Sequence, residues 1–211
     1  MRFITKLILC FFCTTLVVLP YDVEHAENRY LELVEKVKAD DRLEDYSELR
    51  KVFVQTKRYN PYNSIEEGLR GDMAKAMENE NWEQCIKQAN KALDNNYIYI
   101  RGHLNASFCH KKLDNNEMAD FHANKFMNLI KAISETGDGK TPATAFKTIS
   151  TNEVHSFLLL SGYIRNSQML VQDELGAFDV MTVTDRRTDE KKSLYFDVNL
   201  QMSHFIKIFP E

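Results

Sequence analysis

The sequence predicts an α+β protein, in which helical hairpins pack on a small C-terminal antiparallel sheet with one or two short helices. Two observations predict this arrangement. Residues 27–136 carry apolar side chains at helical spacing between charged ones, and part of this segment repeats itself. After a turn-rich break, residues 137–211 are dominated by short runs of β-branched and aromatic residues. We therefore expect a helical portion, 27–136, followed by a small α+β portion, 137–211.

The first helices are predicted from apolar spacing and from chain breakers. Residues 24–39 place apolar side chains at helical intervals between charged ones, and a second helix begins near Glu44. The segment 56–63 interrupts the periodicity, because Pro61 restricts the residue before it to an extended shape. Asn63 or Ser64 is predicted to cap the next helix, which continues to Asn79.

The helical portion then contains two similar stretches at an offset of 34 residues. Asn81 aligns with Asn115 (115 − 81 = 34), and the Ala-Asn-Lys run at Ala89 aligns with the one at Ala123. Small residues recur where two helices must approach closely, and an acidic, asparagine-rich turn recurs between helices. This pattern is typical of tetratricopeptide-type helical hairpins. Both copies depart from the repeat pattern, so an ordinary helical bundle stays open as the alternative.

The C-terminal elements are predicted from short β-branched runs separated by turn residues. A short helix over 152–161 is expected to be capped by Thr151 or Asn152, and a final helical turn is expected to open at Ser203. The predicted strands lie near residues 145–150, 163–171, 178–184 and 194–200, with a charged hairpin loop at 185–192.

A short leader precedes the helical portion. Arg2 and Lys6 make its start basic, and an apolar run follows from Leu7 to Leu19. The run is too short to span a bilayer comfortably and leads into an acidic stretch, which is typical of a secretory signal. We therefore predict a signal peptide over residues 1–26, although the sequence does not define its cleavage site. The protein is predicted to be exported, periplasmic or secreted, with envelope association as an option and no integral membrane anchor after cleavage.

The charge distribution limits the classes of partner, and the cysteines bear on the cellular compartment. The formal net charge is −4, and no run of lysine and arginine stands out, which argues against nucleic acid as a partner. Cys85 and Cys109 are the cysteines that follow the leader. By the repeat register they lie on neighbouring helices, so they form either a disulfide or two buried free thiols.

Two motifs resemble a known family. The first is Asp45-Tyr-Ser-Glu-Leu-Arg-Lys-Val-Phe-Val-Gln-Thr56, followed by Tyr59-Asn-Pro-Tyr62. The second is Gly137-Asp-Gly-Lys-Thr-Pro-Ala-Thr-Ala-Phe146. Both are similar to segments of the bacterial domain of unknown function family 4919, and the resemblance extends from about residue 22 to residue 209. It implies the same two-part plan and a bacterial exported setting. It implies no activity, because the family has none assigned.

The sequence offers no recognised catalytic or metal site. The segment Gly137, Asp138, Gly139, Lys140 and Pro142 lacks the spacing of a phosphate loop, since Ser134 stands where that loop needs glycine, and we interpret it as a tight turn. His103, His110 and His122 are candidates for one helical face and its neighbour, but their spacing matches no zinc motif. We expect no metal, no cofactor and no catalytic residue.

The function predicted from the sequence is a non-enzymatic binding or scaffolding module in the cell envelope, with an unknown protein or peptide as its partner. Helical-hairpin arrays line their inner surface with the first helix of each pair, and tyrosines near loops suit partner recognition. The candidate partner-binding residues are Tyr59, Asn60, Tyr62, Arg70, Arg101, Asn105 and His110. The alternative is an enzyme of unrecognised class, with a site between the Tyr59–Tyr62 loop and the Gly137–Pro142 turn.

Overall fold

The computed structural model describes residues 23–40, 42–62 and 64–208, and it confirms the α+β class. In these residues, six helices precede a small sheet, one lies between its first two strands, and one follows it. The helices are α1 (Val23–Ala39), α2 (Leu43–Phe53), α3 (Ser64–Glu78), α4 (Trp82–Asn95), α5 (Ile100–Lys112), α6 (Asn116–Ser134), α7 (Thr151–Leu160) and α8 (Asn199–Ile208). The strands are β1 (Phe146–Lys147), β2 (Tyr163–Asp173), β3 (Gly176–Asp185) and β4 (Lys191–Asp197).

The sheet is mixed and has the order β1-β4-β3-β2. β2, β3 and β4 form an antiparallel meander, whereas β1 runs parallel to β4. β1 is much shorter than the predicted strand at 145–150, because the chain turns at once into α7. The helix cap is Ser150, whose side chain accepts a hydrogen bond from the Glu153 N–H, so the prediction of Thr151 or Asn152 as the cap was wrong by one residue.

The predicted last strand, 194–200, also ends earlier than expected. β4 stops at Asp197, and α8 begins at Asn199 rather than near Ser203. The Asp197 carboxylate accepts a hydrogen bond from the Asn199 N–H at 3.0 Å, which favours the turn into the helix. α8 therefore starts directly at the sheet and contacts β3.

The turns that open α4 and α6 share one geometry. Asn81 and Asn115 cap these helices, and each side chain accepts a hydrogen bond from the N–H three residues on. The residues before them, Glu80 and Asp114, both have positive φ angles, 53° and 57°. The offset of 34 residues seen in the sequence therefore holds for the local backbone. The wider tetratricopeptide-type assignment stays a prediction.

A disulfide joins Cys85 in α4 to Cys109 in α5, with their Cα atoms 6.4 Å apart. Both residues are fully buried and pack with Ala76 of α3. The sequence left open either a disulfide or two buried free thiols, and the structure has the disulfide. The bond ties together the second helix of one hairpin and the first helix of the next.

One apolar core runs through both portions of the chain. α1 and α2 contribute Tyr30, Leu33 and Leu49, while α7 and β4 contribute Phe157 and Phe196, all of them buried. The helical and α+β portions thus share a core instead of meeting at a polar surface. A smaller cluster fills the space between α3, α4 and α5.

The predicted signal lies largely outside the described residues. Its last residues, 23–26, form the first turn of α1, where Ala26 is buried. Among the helices that the structure describes, none combines the length and the apolar character needed to cross a bilayer.

Candidate ligand-binding cleft

The Tyr59–Tyr62 loop connects the helical portion to the α+β portion. The Tyr59 hydroxyl donates a hydrogen bond to the Ile149 carbonyl at 2.7 Å, and its ring packs edge-on against Phe53. The Tyr62 hydroxyl donates to the Gln201 carbonyl at 3.2 Å, although 45% of this residue stays exposed. The hydroxyls of both tyrosines are thus engaged in holding the two portions together. Asn60 is exposed, and its side chain accepts a hydrogen bond from the Tyr62 N–H.

The turn that begins at Gly137 is held by its own side chains. Asp138 accepts hydrogen bonds from the Lys140 N–H at 3.0 Å and from the Thr144 hydroxyl at 2.6 Å, and these bonds lower the pKa of its carboxyl. Gly139 has a φ of 67° and lies against the Phe146 ring, while its carbonyl accepts from the Tyr195 N–H at 2.8 Å. The turn thereby fastens the end of the helical portion to β4.

Gly137 and Pro142 complete this turn. A Cβ at position 137 would lie 2.2 Å from the Thr144 carbonyl oxygen, so close approach of the backbone requires glycine there. Pro142 opens a short 3-10 helix, Pro142–Thr144. Neither this turn nor its neighbours share a cavity wall with the Tyr59–Tyr62 loop in the five principal cavities of the described residues.

A small, partly open cavity of about 20 Å³ lies beside the Tyr59–Tyr62 loop. Asn60, Glu66 and Asn96 are in its wall. Glu66 is buried, and burial raises the pKa of its carboxyl; one carboxylate oxygen accepts from Asn96, while the other has no partner among the described residues. The cavity is about the size of one water molecule. It gives no room for a substrate, so it lends the enzyme alternative no support.

The three helical histidines do converge, but as a hydrogen-bonded group. His103 Nε2 lies 2.7 Å from the Tyr97 carbonyl oxygen, which can only accept, so this nitrogen carries the proton. His103 Nδ1 must then accept from His122 Nδ1, which is 2.9 Å away. His110 stacks on the His122 ring. Within the described chain, no group of three or more His, Cys, Asp or Glu side chains is arranged to hold a metal ion.

His110 and Asn105, two further candidates for partner contact, are half-buried in α5. The ring of His110 rests on His122 instead of standing free. The Asn105 side-chain amide lies 3.4 Å from the Met73 sulfur. Neither residue lies in the wall of the cleft described next.

Arg70 and Arg101 lie in the wall of one open cleft of about 410 Å³, between the helical portion and the sheet. We call this the arginine cleft. Arg70 belongs to α3 and Arg101 to α5. α7, β2 and the turn that follows β3 complete the wall. Its lining residues are Arg70, Arg101, His155, Leu158, Leu159, Tyr163, Ile164, Arg165 and Arg186.

Helical spacing explains why these side chains face the cleft. In α3, Leu69 and Met73 point into the core, which leaves the neighbouring Arg70 at the surface. In α7, Val154 and Phe157 are buried, and His155 lies on the exposed side. In both helices the buried positions therefore leave a neighbouring polar side chain, Arg70 or His155, on the side of the arginine cleft.

The charges in the arginine cleft are incompletely balanced. Arg70 pairs with Glu67, its neighbour on α3. In the part of the chain that the structure describes, no acidic side chain forms an ion pair with Arg101 or with Arg186, and no aspartate or glutamate lines the cleft. A protein with a net charge of −4 therefore holds a local concentration of positive charge.

The pKa of His155 shows the effect of the positive charges in this cleft. Burial lowers the pKa of its imidazole, and the nearby positive charges of Arg165, Arg101 and Arg70 lower it further, while Asp179 opposes them. Arg165 Nη1 lies 3.2 Å from His155 Nε2, and because a guanidinium only donates, Nε2 is the acceptor. A neutral His155 is therefore built into the wall as a hydrogen-bond partner of Arg165.

Comparison of the sequence with known proteins assigns the chain to a family. A family model described as Domain of unknown function (DUF4919) matches residues 22–206. The chain belongs to this family. No curated protein and no solved structure gives a significant match to it. The DUF4919 match covers both portions of the fold, including the cleft and both motifs by which the sequence resembles the family.

Proposed function

We propose that this protein is an exported, non-enzymatic binding module that holds an acidic segment of a protein or peptide partner in the arginine cleft. The observation that carries the proposal is the position of Arg101 and Arg186 in the cleft wall without an acidic partner in the described chain. Like charges held close together repel, and a bound carboxylate would relieve that repulsion.

The chemistry of the wall favours carboxylates joined to apolar groups. A guanidinium donates two parallel hydrogen bonds to a carboxylate, which gives both strength and direction. Leu158, Leu159 and Ile164 supply apolar surface between the arginines, and Leu159 and Ile164 are partly exposed. An extended acidic segment with apolar side chains matches both parts of this wall.

The setting supports a partner outside the cytoplasm. The basic start and apolar run of residues 1–19 are typical of a secretory signal. The Cys85–Cys109 bridge agrees with that setting, because disulfides persist mainly in oxidising compartments. A cleft between two portions that share a core offers a partner segment a surface of fixed shape.

The test is titration of a fluorescein-labelled peptide of alternating glutamate and leucine, followed by anisotropy. The double variant Arg101→Gln, Arg186→Gln is compared with Lys75→Gln, Lys87→Gln, which removes the same charge from exposed positions of α3 and α4. We expect the cleft variant to bind about tenfold more weakly, equivalent to about 1.4 kcal/mol, and the control to bind like the unaltered chain.

Salt and peptide charge complete the test. Binding through the cleft should weaken as ionic strength rises, and a peptide of alternating lysine and leucine should not bind. Equal losses in the cleft variant and in the control variant would mean that the peptide responds to overall charge, and the cleft would then lose its assignment.

A further inference from the structure

A further cavity, of about 340 Å³, lies between α1, α4 and α6. We call it the histidine pocket, because His122 lies in its wall. Among the described residues, none lines both this pocket and the arginine cleft. Small-molecule sites have volumes of about 300–1,000 Å³. The histidine pocket is therefore a separate candidate for a ligand.

Much of the wall of the histidine pocket is apolar. α1 contributes Leu31 and Val34, α4 contributes Leu93, and α6 contributes Met118 and Phe121. Leu31 is 47% exposed, so apolar surface in this wall stays in contact with water. An apolar molecule in the pocket would remove that surface from water, which is favourable.

The hydrogen bonds among the histidines fix which nitrogen of His122 carries the proton. His103 Nδ1 is an acceptor, so His122 Nδ1, which is 2.9 Å away, donates to it. Burial lowers the pKa of His122 to about 4, so its imidazole is neutral at pH 7 and has a single N–H. His122 Nε2 is therefore an unprotonated acceptor. In the described chain it has no hydrogen-bond partner.

This acceptor lies on the edge of the His122 ring that is turned toward the pocket. Nδ1 points to His103, which is completely buried and does not belong to the wall. The edge opposite Nδ1 in an imidazole consists of Nε2 and Cδ2, so this edge is the part of His122 that contributes to the wall. The His110 ring stacks on the His122 ring at an interplanar angle of 12° and supports its orientation. The pocket thus offers a fixed hydrogen-bond acceptor next to apolar side chains.

The charges around the pocket select against ionic ligands. A carboxylate has no proton to donate, so it would place its lone pairs against that of Nε2. A cation would be repelled by Lys125, whose Nζ lies 4.4 Å from the centroid of the Phe121 ring. The charged side chains of the wall itself, Glu35, Lys38 and Asp94, are exposed to solvent, and Lys38 pairs with Glu35. A neutral hydrogen-bond donor matches this environment best.

We propose that the histidine pocket binds a phenol, a small neutral aromatic molecule whose hydroxyl donates a hydrogen bond to His122 Nε2. Its ring then packs against Leu31, Met118 and Phe121. Phe121 favours an aromatic ligand, because pairs of rings gain stability beyond the area that they bury. This inference is independent of the ligand proposed for the arginine cleft.

The test is a chemical-shift titration of the ¹⁵N-labelled chain with three ligands of similar shape, followed at the amides of Leu31, Leu93 and Met118. p-Cresol has a hydroxyl that donates to Nε2, 4-methylanisole has a methyl ether in its place, and p-toluate has a carboxylate. We expect p-cresol to bind about fivefold more tightly than 4-methylanisole, because the ether leaves the acceptor unpaired. p-Toluate should leave these three amides unchanged.

Two variants locate the binding. His122→Phe keeps a ring but removes the acceptor, so it should bind p-cresol and 4-methylanisole equally. Leu31→Arg covers the case in which His122→Phe fails to fold, because an arginine at this exposed position of the wall obstructs the pocket and should abolish p-cresol binding. Its matched control, Ala39→Arg, adds the same charge at an exposed position of α1 outside the wall and should bind like the unaltered chain. Equal binding of p-cresol and 4-methylanisole by the unaltered chain, no binding of p-cresol, or equal losses in the two arginine variants would each overturn the proposal.

Discussion

Arg50 and Glu153, which are 103 residues apart in the chain, form a buried bidentate ion pair with both N–O distances at 2.8 Å. Arg50 also donates to the Lys147 carbonyl, and Glu153 accepts from the Ile149 N–H. The pair therefore joins α2 to α7 and to the short strand before it. It adds a buried ionic tie between the two portions to the tyrosine hydrogen bonds and the shared core.

Removing one partner of this pair should be costly. Arg50→Met leaves the Glu153 carboxylate buried without its cation, and we expect the free energy of unfolding to fall by about 3–5 kcal/mol. Urea unfolding followed by circular dichroism measures the change. The double variant Arg50→Met, Glu153→Met should lose less than Arg50→Met alone, since no uncompensated charge remains. A larger loss in the double variant would contradict this account.

The Cys85–Cys109 bridge should contribute to stability. The two residues are 24 apart, and closing a loop of that length in the unfolded chain corresponds to about 3.5 kcal/mol in the chain-entropy model. The free energy of unfolding of the variant Cys85→Ala, Cys109→Ala, measured by urea, should be lower by that amount. Reducing agent should destabilise the unaltered chain and leave the variant unchanged. Equal sensitivity of both proteins to reducing agent would disprove the assignment.

The histidine group should make stability fall in acid. Burial, with smaller contributions from His122 and Lys125, lowers the pKa of His103 to about 3. Burial, with smaller contributions from His110 and Lys125, lowers the pKa of His122 to about 4. In the unfolded chain both groups titrate near 6.5. As the pH falls from about 6.5 toward 4, only the unfolded chain takes up these protons, so the folded state loses stability, by at most about 1.4 kcal/mol per pH unit for each histidine.

A glutamine at position 122 tests this pH dependence. In His122→Gln the side-chain amide can still donate to His103, but it does not titrate. Unfolding free energy measured by urea between pH 7 and pH 4 should decline less steeply in this variant. Parallel curves for the variant and the unaltered chain would show that His122 does not contribute to the acid sensitivity.

Two glycines should respond oppositely to alanine. At Gly139 the φ is 67°, and an added Cβ would lie 2.4 Å from the Phe146 ring, so Gly139→Ala should destabilise the fold by more than 1 kcal/mol, an order-of-magnitude expectation. At Gly71, on the exposed side of α3, the added Cβ meets nothing within 4 Å. Gly71→Ala should therefore stabilise by about 0.5–1 kcal/mol. Thermal unfolding of both variants measures the contrast.

The sequence predicted the fold best where a local signal decides the structure. Asn81 and Asn115 were aligned by their spacing, and both cap helices as that alignment implies. Local signals failed at residues 198–200, which were predicted to continue the last strand. There the hydrogen bonds of Asn199 to Asp197 and Ala177 begin a helix, and these depend on the sheet being in place.

The candidate cleft was only partly accessible to sequence reasoning. Arg70 and Arg101 were candidates because the repeat register puts them on the first helix of each hairpin. His155, Arg165 and Arg186 come from the other portion, and nothing in their local spacing links them to α3 or α5. They meet the first two only because the shared core fixes α7 and β2 beside the helices. Scattered arginines carry no motif, so their convergence is a property of the tertiary structure.

The positions of the Cys85–Cys109 disulfide and of the Arg50–Glu153 ion pair along the chain imply an order of folding. Cys85 and Cys109 both precede the sheet, so their bond requires nothing that lies beyond α5. Glu153, by contrast, is synthesised only after α6 and the turn that follows it. During synthesis this bond can therefore form before the sheet exists. The sheet then packs against a helical layer that is already crosslinked.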